Sequence, residues 1–129
     1  MKILDSDHCI AIMREEINPQ QWIRSDEILA VTTISVGEIT HGAYKSYDTD
    51  RNMGYVNTLL SSVRVLPFDE NAARQFGWLK AFLEKKGMKL AIADLQIAAI
   101  TLTAGAILVT HNQKHFRRIP NLVLEDWRA

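Results

Sequence analysis

The chain has a single cysteine, Cys9, among 129 residues. That excludes an intrachain disulfide and leaves too few thiolates for a structural zinc site, so any bound metal must use oxygen or histidine ligands. Proline (3) and glycine (6) are scarce while 47% of the residues are hydrophobic, which argues against a disordered or collagen-like chain. No repeat or low-complexity tract occurs. Long apolar runs are missing as well. The longest uncharged stretch, from Leu95 up to Lys114, is broken by Gln96, Thr101, Thr103, Gly105, Thr110, His111 and Asn112, so no membrane helix is expected. The opening Met1-Lys2-Ile3-Leu4-Asp5 meets an acid too soon for a secretory apolar segment and has no Arg-rich transit pattern, and the expected compartment is the cytoplasm.

Net charge is also lacking, with 15 Lys and Arg against 15 Asp and Glu. Overall balance therefore points to neither a polyanion binder nor an acidic partner. The distribution is uneven: residues 1–50 hold nine acids against four bases, and residues 51–118 hold ten bases against four acids. An acidic centre flanked by basic surface is one arrangement that holds cations and admits a phosphate backbone; mixed solvated faces are the other reading. The length suits one domain, 1–129, with a core of its own.

The pattern alternates strands with helices. Lys2–Asp5 reads as a strand leading into a helix that Ser6 or Asp7 caps, with Cys9, Ile10, Ile12, Met13 and Ile17 at mostly helical spacing. Asn18-Pro19 starts a short helix through Trp22 and Ile23. Residues 28–34 form a β-branched strand, and Ser35-Val36-Gly37-Glu38 has capping-box spacing for a helix continuing through Ile39, Ala43 and Tyr47. An amphipathic segment over 51–61 precedes a strand at 64–68. Asp69 caps a helix over 70–86 that stops at Gly87, and a further helix runs from Ala91 to near Gly105. A strand at 106–110 and an edge strand at 122–124 complete the series. Trp22, Trp78, Trp127 and the phenylalanines are core candidates. Such alternation predicts an α/β fold, a single three-layer α/β/α domain with a mostly parallel sheet of four or five strands.

In parallel sheets, sites form beyond the strand C-terminal ends. The first, second and fourth strands run out at Asp5, at Ser35 with Glu38, and at Thr110-His111-Asn112, which share one edge if those strands are neighbours. Asp5-Ser6-Asp7 offers carboxylate and hydroxyl oxygens for a hard cation, or a helix cap. Glu38 is accounted for by the capping box or by the site. Asp94 interrupts an apolar run with no capping partner in view. Clustered carboxylates repel unless a cation joins them, so convergence of these three would make a cation site. His8, His41, His111 and His115 lack metal-protease spacing and read as surface or packing residues. Gly-rich phosphate loops, nucleophile elbows and Cys–His signatures are absent. Lys114, His115, Arg117 and Arg118, like Lys85, Lys86 and Lys89, are basic clusters that are solvated or grip phosphates.

Taken in order, Ile3-Leu-Asp5-Ser6, Ile34-Ser-Val-Gly-Glu38-Ile with Gly42, Val65-Leu-Pro-Phe-Asp69, Asp94-Leu-Gln-Ile-Ala-Ala99, and Leu108-Val-Thr-His-Asn112 through Phe116 and Ile119-Pro120 resemble the PIN-domain ribonucleases of the VapC toxin type. The likeness extends to Leu124-Glu-Asp-Trp127. It implies a Mg²⁺- or Mn²⁺-dependent endoribonuclease, the toxin of a toxin–antitoxin pair, blocked by a cognate antitoxin protein. It also implies an acidic site of Asp5, Glu38 and Asp94 as metal ligands. The fourth position, often Asp in that family, is Asn112 here, whose amide oxygen can still bind metal or orient water. Ser6 would orient Asp5 or its water. The family suggests tRNA or ribosomal RNA as substrate, and amphipathic segments rich in Met and aromatics suggest a homodimer.

Two alternatives stand beside this reading. One is a non-catalytic PIN-like RNA- or protein-binding module with a degenerate acidic site. The other, a receiver-type phosphoacceptor, would want a central Asp after a middle strand and a Lys after a late one, whereas the third strand ends in Pro67-Phe68-Asp69 and the fourth in Thr110-His111.

Overall fold

The computed structural model describes residues 1–128; Ala129, the last residue of the expected domain, lies outside the described residues. Five strands, β1 (Lys2–Leu4), β2 (Leu29–Thr32), β3 (Arg64–Leu66), β4 (Ile107–Val109) and β5 (Val123–Glu125), form one parallel sheet in the order β3-β2-β1-β4-β5. The helices are α1 (Ser6–Met13), α2 (Thr33–Lys45), α3 (Thr49–Ser61), α4 (Glu70–Lys85), α5 (Ile92–Thr103) and α6 (Gln113–Phe116), with a 3₁₀ turn at Pro19–Gln21.

Alternation along the short strands divides the core in two. Ile3, Ala30 and Leu108, in register with one another, face a layer made by Leu79 and Leu83 of α4, by α5 and by Phe116 of α6. The next residues, Leu4, Val31 and Val109, face Cys9, Ile39, Ala43, Val56, Leu59 and Trp127. Successive strand side chains point to opposite faces, so a three-residue strand buried on both sides reads as continuous apolar sequence. The expected three-layer α/β/α domain is thus present, with every strand pair parallel. No described helix is long and apolar enough to cross a membrane.

Several expected boundaries move. α1 ends at Met13, because Arg14 caps it and Glu15 takes a left-handed φ of 59°, so Ile17 lies beyond the helix. The Asn18 side chain does accept from the Gln20 amide, but the Pro19 helix is a single 3₁₀ turn ending before Trp22. α2 begins at Thr33, with the Thr32 hydroxyl accepting from the Ser35 amide at 3.1 Å, so the cap lies three residues before the predicted Ser35–Glu38 box. Tyr47 falls outside α2 and is fully exposed. β3 stops at Leu66 before Pro67, while Asp69 caps α4 through the Ala72 amide at 2.9 Å as expected. Gly87 and Gly105, with φ of +71° and +61°, close α4 and α5 where a side chain would strain the turn. Of the three tryptophans only Trp127 is buried; Trp22 and Trp78 are exposed.

Candidate active site

Because β2, β1 and β4 are neighbours, their C-terminal ends deliver Asp5, the start of α2 and Thr110-His111-Asn112 to one edge of the sheet. Asp5 continues the β1 ladder, its amide donating to the Val109 carbonyl at 2.9 Å, and then serves as N-cap of α1. Its Oδ1 accepts from the Ser6 amide at 2.8 Å and its Oδ2 from the Thr110 hydroxyl at 2.7 Å. Capping and site geometry are therefore compatible readings of the same carboxylate.

Asp5 is 8% exposed. Burial, with the charges of Asp7 and Asp94 added, pushes its carboxyl from the ordinary 3.8 up to about 6, against the lowering effect of the Thr110 and Ser6 hydrogen bonds. Asp94, in the first turn of α5, is raised by burial and by the charges of Glu38 and Asp7, with His115 opposing. Three carboxylates from three helix starts thus feel one another across the edge. Burial and the charges of Asp5, Asp7 and Glu38 also raise the Cys9 thiol, so it stays protonated in the core.

With α2 capped by Thr32, Glu38 no longer has a capping duty. It stands in the second turn and accepts from the Ser6 hydroxyl at 2.7 Å, so Ser6 touches Glu38 rather than Asp5 through its side chain. Asn112 caps nothing with its side chain; its amide lies 3.0 Å from His115 Nδ1, and that nitrogen lies 3.9 Å from Asp94 Oδ2. Its backbone N–H donates to the Thr110 hydroxyl at 3.0 Å. All five expected site residues, Asp5, Ser6, Glu38, Asp94 and Asn112, therefore belong to one connected edge. They are not drawn into a single cage. Among the described residues no three His, Cys, Asp or Glu side chains gather closely enough to hold one ion together. Like charges repel, and each carboxylate instead leans toward a donor: Asp5 on Thr110, Glu38 on Ser6, Asp94 toward His115.

Residues beyond the five expected ones complete the edge. Thr110 joins Asp5, Asp7 (3.5 Å) and Asn112. Asp7 accepts from the His111 amide at 3.1 Å and pairs with His8 at 2.6 Å. The position of Thr110 at a strand exit was the available signal; nothing in the spacing points to His8. Beside Glu38 a groove of about 520 Å³ opens between α1, α2 and α3, lined by Ile10, Met13, Arg14, Gly42 and Tyr55 among others.

The PIN domain family model matches residues 2–122. Ribonuclease VapC2 of Rickettsia felis is 30% identical over 129 residues, 97% of this chain and 96% of that protein. The tRNA(fMet)-specific endonuclease VapC of Salmonella typhimurium is 32% identical over 130 residues, with the same two coverages. Among solved structures, VapBC2 from Rickettsia felis bound to a DNA fragment from their promoter superposes with a TM-score of 0.91 at 28% identity, over 98% of each chain. DNA-bound VapBC from Salmonella typhimurium gives 0.90 at 30% identity, over 98% of this chain and 97% of that one.

Proposed function

This chain belongs to the PIN-domain family, among its VapC ribonucleases, and we propose that it hydrolyses RNA phosphodiester bonds as an endoribonuclease toxin, with Asp5, Asp94 and Glu38 holding Mg²⁺ or Mn²⁺. The observation that carries this reading is the acidic edge, where burial and neighbouring carboxylates oppose the ionisation of Asp5 and Asp94. A divalent cation relieves that opposition, and the donors are hard oxygens of the kind such ions prefer. Mg²⁺ binds through one or two carboxylates and keeps several waters, so it does not require three acids in one cage. When bound, the cation would polarise phosphoryl oxygens and neutralise charge on the scissile phosphate.

The protein groups divide the remaining work. Asp5 and Asp94 anchor the ion. Glu38, oriented by the Ser6 hydroxyl, holds a water or a second ion. Thr110 keeps Asp5 Oδ2 in place, and Asn112, tied to His115 beside Asp94, positions water or substrate. Lys114, Arg117 and Arg118 on and after α6 are exposed close to Asn112 and suit a phosphate backbone.

The substrate we favour is tRNA, from the name of the Salmonella typhimurium relative, with ribosomal RNA as the comparison. The partner is an antitoxin, since the solved neighbours are VapBC assemblies; a segment seated in the groove beside Glu38 would cover one carboxylate of the site. Exposed Trp78 and Ile92 on α4 and α5 are in keeping with the expected homodimer, which light scattering of the chain alone tests. The cytoplasm remains the proposed location.

Incubating the purified chain with tRNA and with ribosomal RNA, in Mg²⁺, in Mn²⁺ and with chelator, tests the function. Cation-dependent internal cleavage supports it. RNA binding without cleavage under any condition would favour the degenerate binding module instead.

A further inference from the structure

His8 is wholly buried, and every polar atom of its ring is engaged. The Trp127 backbone N–H donates to Nε2 at 3.1 Å, a contact between residues 119 apart in sequence. That occupies the Nε2 lone pair and leaves the ring proton on Nδ1, which donates to Asp7 Oδ1 at 2.6 Å. Asp7 Oδ2 accepts from the His111 amide at 3.1 Å and stands 3.5 Å from the Thr110 hydroxyl, the group that donates to Asp5. Asp126 braces the far side, its Oδ1 3.4 Å from His8 Nε2 and its Oδ2 2.8 Å from His111 Nδ1. Trp127 itself is buried against the His8 ring edge, stacks on Trp22 and lies beneath Lys2.

We propose that His8 is a positioning residue of the acidic edge, through which the Glu125–Trp127 segment fixes Asp7 and, by way of Thr110, holds Asp5 in its working orientation. This inference rests on the ribonuclease reading above. Burial alone requires both ring nitrogens to find partners; what ties His8 to the site is where those partners lie, Asp7 beside the edge on one side and the backbone of the segment after the last strand on the other. Without the Nδ1 donor, Asp7 keeps only the His111 amide and competes for the Thr110 hydroxyl, so that Asp5 Oδ2 no longer has that hydroxyl to itself while Oδ1 stays on the Ser6 amide. Groups that orient ligands in this indirect way affect metal affinity and turnover strongly although they touch neither ion nor substrate.

The two ring nitrogens can be separated by substitution. An Asn amide reaches the Nδ1 position and keeps the donor to Asp7, whereas a Gln amide reaches the Nε2 position and keeps the Trp127 contact alone. The measurements are Mn²⁺ affinity by calorimetry, kcat and KM for RNA cleavage, and melting temperature, on His8→Asn, His8→Gln, Asp7→Asn and the double variant His8→Gln/Asp7→Asn. His8→Gln and Asp7→Asn should each weaken Mn²⁺ binding and lower kcat by about tenfold or more, with KM for RNA within about twofold. The double variant should be no worse than either single one, because both remove the same link. His8→Asn should stay within about threefold of wild type in kcat although it melts as early as His8→Gln. Loss of activity in His8→Asn equal to that in His8→Gln, in step with melting temperature, would overturn the proposal. So would an unchanged kcat in His8→Gln. Should His8→Gln fail to fold, Asp7→Asn carries the test at a partly exposed position, and an unchanged kcat there is equally fatal. A wild-type chain that never cleaves RNA with Mg²⁺ or Mn²⁺ overturns the ribonuclease reading and this inference with it. Wild-type cleavage with an indifferent His8→Gln overturns this inference alone.

Discussion

Replacing Asp5 by Asn should stabilise the protein when no divalent cation is present, although it removes a residue of the proposed site. Burial and the charges of Asp7 and Asp94 raise the Asp5 carboxyl from 3.8 to about 6, so ionising it costs the folded state free energy above that pH. At roughly 1.4 kcal/mol per pH unit the penalty is about 3 kcal/mol at neutral pH. The sign follows from linkage: the penalty is absent below the unfolded value of 3.8, grows between there and about 6, and is complete above. An Asn at this position can still accept from the Ser6 amide, and its NH₂ can donate to the Thr110 oxygen while the Thr110 hydrogen turns to Asp7. Allowing about 1 kcal/mol for the weaker neutral hydrogen bonds leaves a net gain of about 2 kcal/mol, or roughly 5–10 °C in melting temperature for a domain of this size. Calorimetric melts in chelator at pH 4, 6 and 8 measure it. The variant should melt with wild type at pH 4 and well above it at pH 8. Saturating Mg²⁺ or Mn²⁺ should close the gap, since a ligand at 100 times its Kd stabilises by about 2.7 kcal/mol and only wild type keeps the full site. A variant less stable than wild type at pH 8, or a difference that ignores pH, would refute the electrostatic account of the edge.

Three further outcomes are expected. Thr110→Val keeps the shape of a buried side chain but removes the strongest influence lowering Asp5, so the acid limb of the rate–pH profile should move to higher pH; a downward shift contradicts the assignment. Asn112→Asp adds a carboxylate beside His115 and Asp94, which should tighten Mn²⁺ binding and lower the melting temperature of the metal-free protein. If calorimetry shows neither change, Asn112 lies outside the site. Reversing Lys114, Arg117 and Arg118 to Glu should weaken RNA binding and flatten its dependence on salt, by roughly one unit of log–log slope for each phosphate no longer neutralised, without moving the cleavage position; filter binding across a salt series tests this.

The features that local sequence specifies most firmly are the ones it predicted well. Asp69 and Gly87 bracket α4 because a cap and a left-handed stop are properties of single residues. The start of α2 shifted because two cap patterns overlap: Thr32-x-x-Ser35 competes with Ser35-x-x-Glu38, and the β-branched Thr32-Thr33-Ile34 favours a strand until packing decides. That shift releases Glu38 from capping to meet Ser6, the contact on which its proposed role rests. Asp5, Glu38 and Asn112 could be placed on one edge once the first, second and fourth strands were assumed to be neighbours, and the order β2-β1-β4 bears that assumption out; strand order did not place Asp94, which stands at the start of α5. The His8–Trp127 and Thr110–Asp5 links join residues more than a hundred positions apart. No periodicity carries such information; the Thr110–Asp5 link arises only when β4 comes to lie beside β1, and the His8–Trp127 link only when β5 in turn lies beside β4.

The claim that Asp5 and Asp94 hold the cation that drives RNA cleavage is tested most directly by Mn²⁺ titration calorimetry paired with tRNA cleavage, on wild type, Asp5→Asn and Asp94→Asn. Wild type should bind Mn²⁺ and cut, and each variant should fold, bind the ion at least about tenfold more weakly and lose most cleavage at the same Mn²⁺ concentration. Full cleavage and undiminished Mn²⁺ affinity in either variant would contradict the account at that residue, and in both variants would remove the acidic edge from the mechanism.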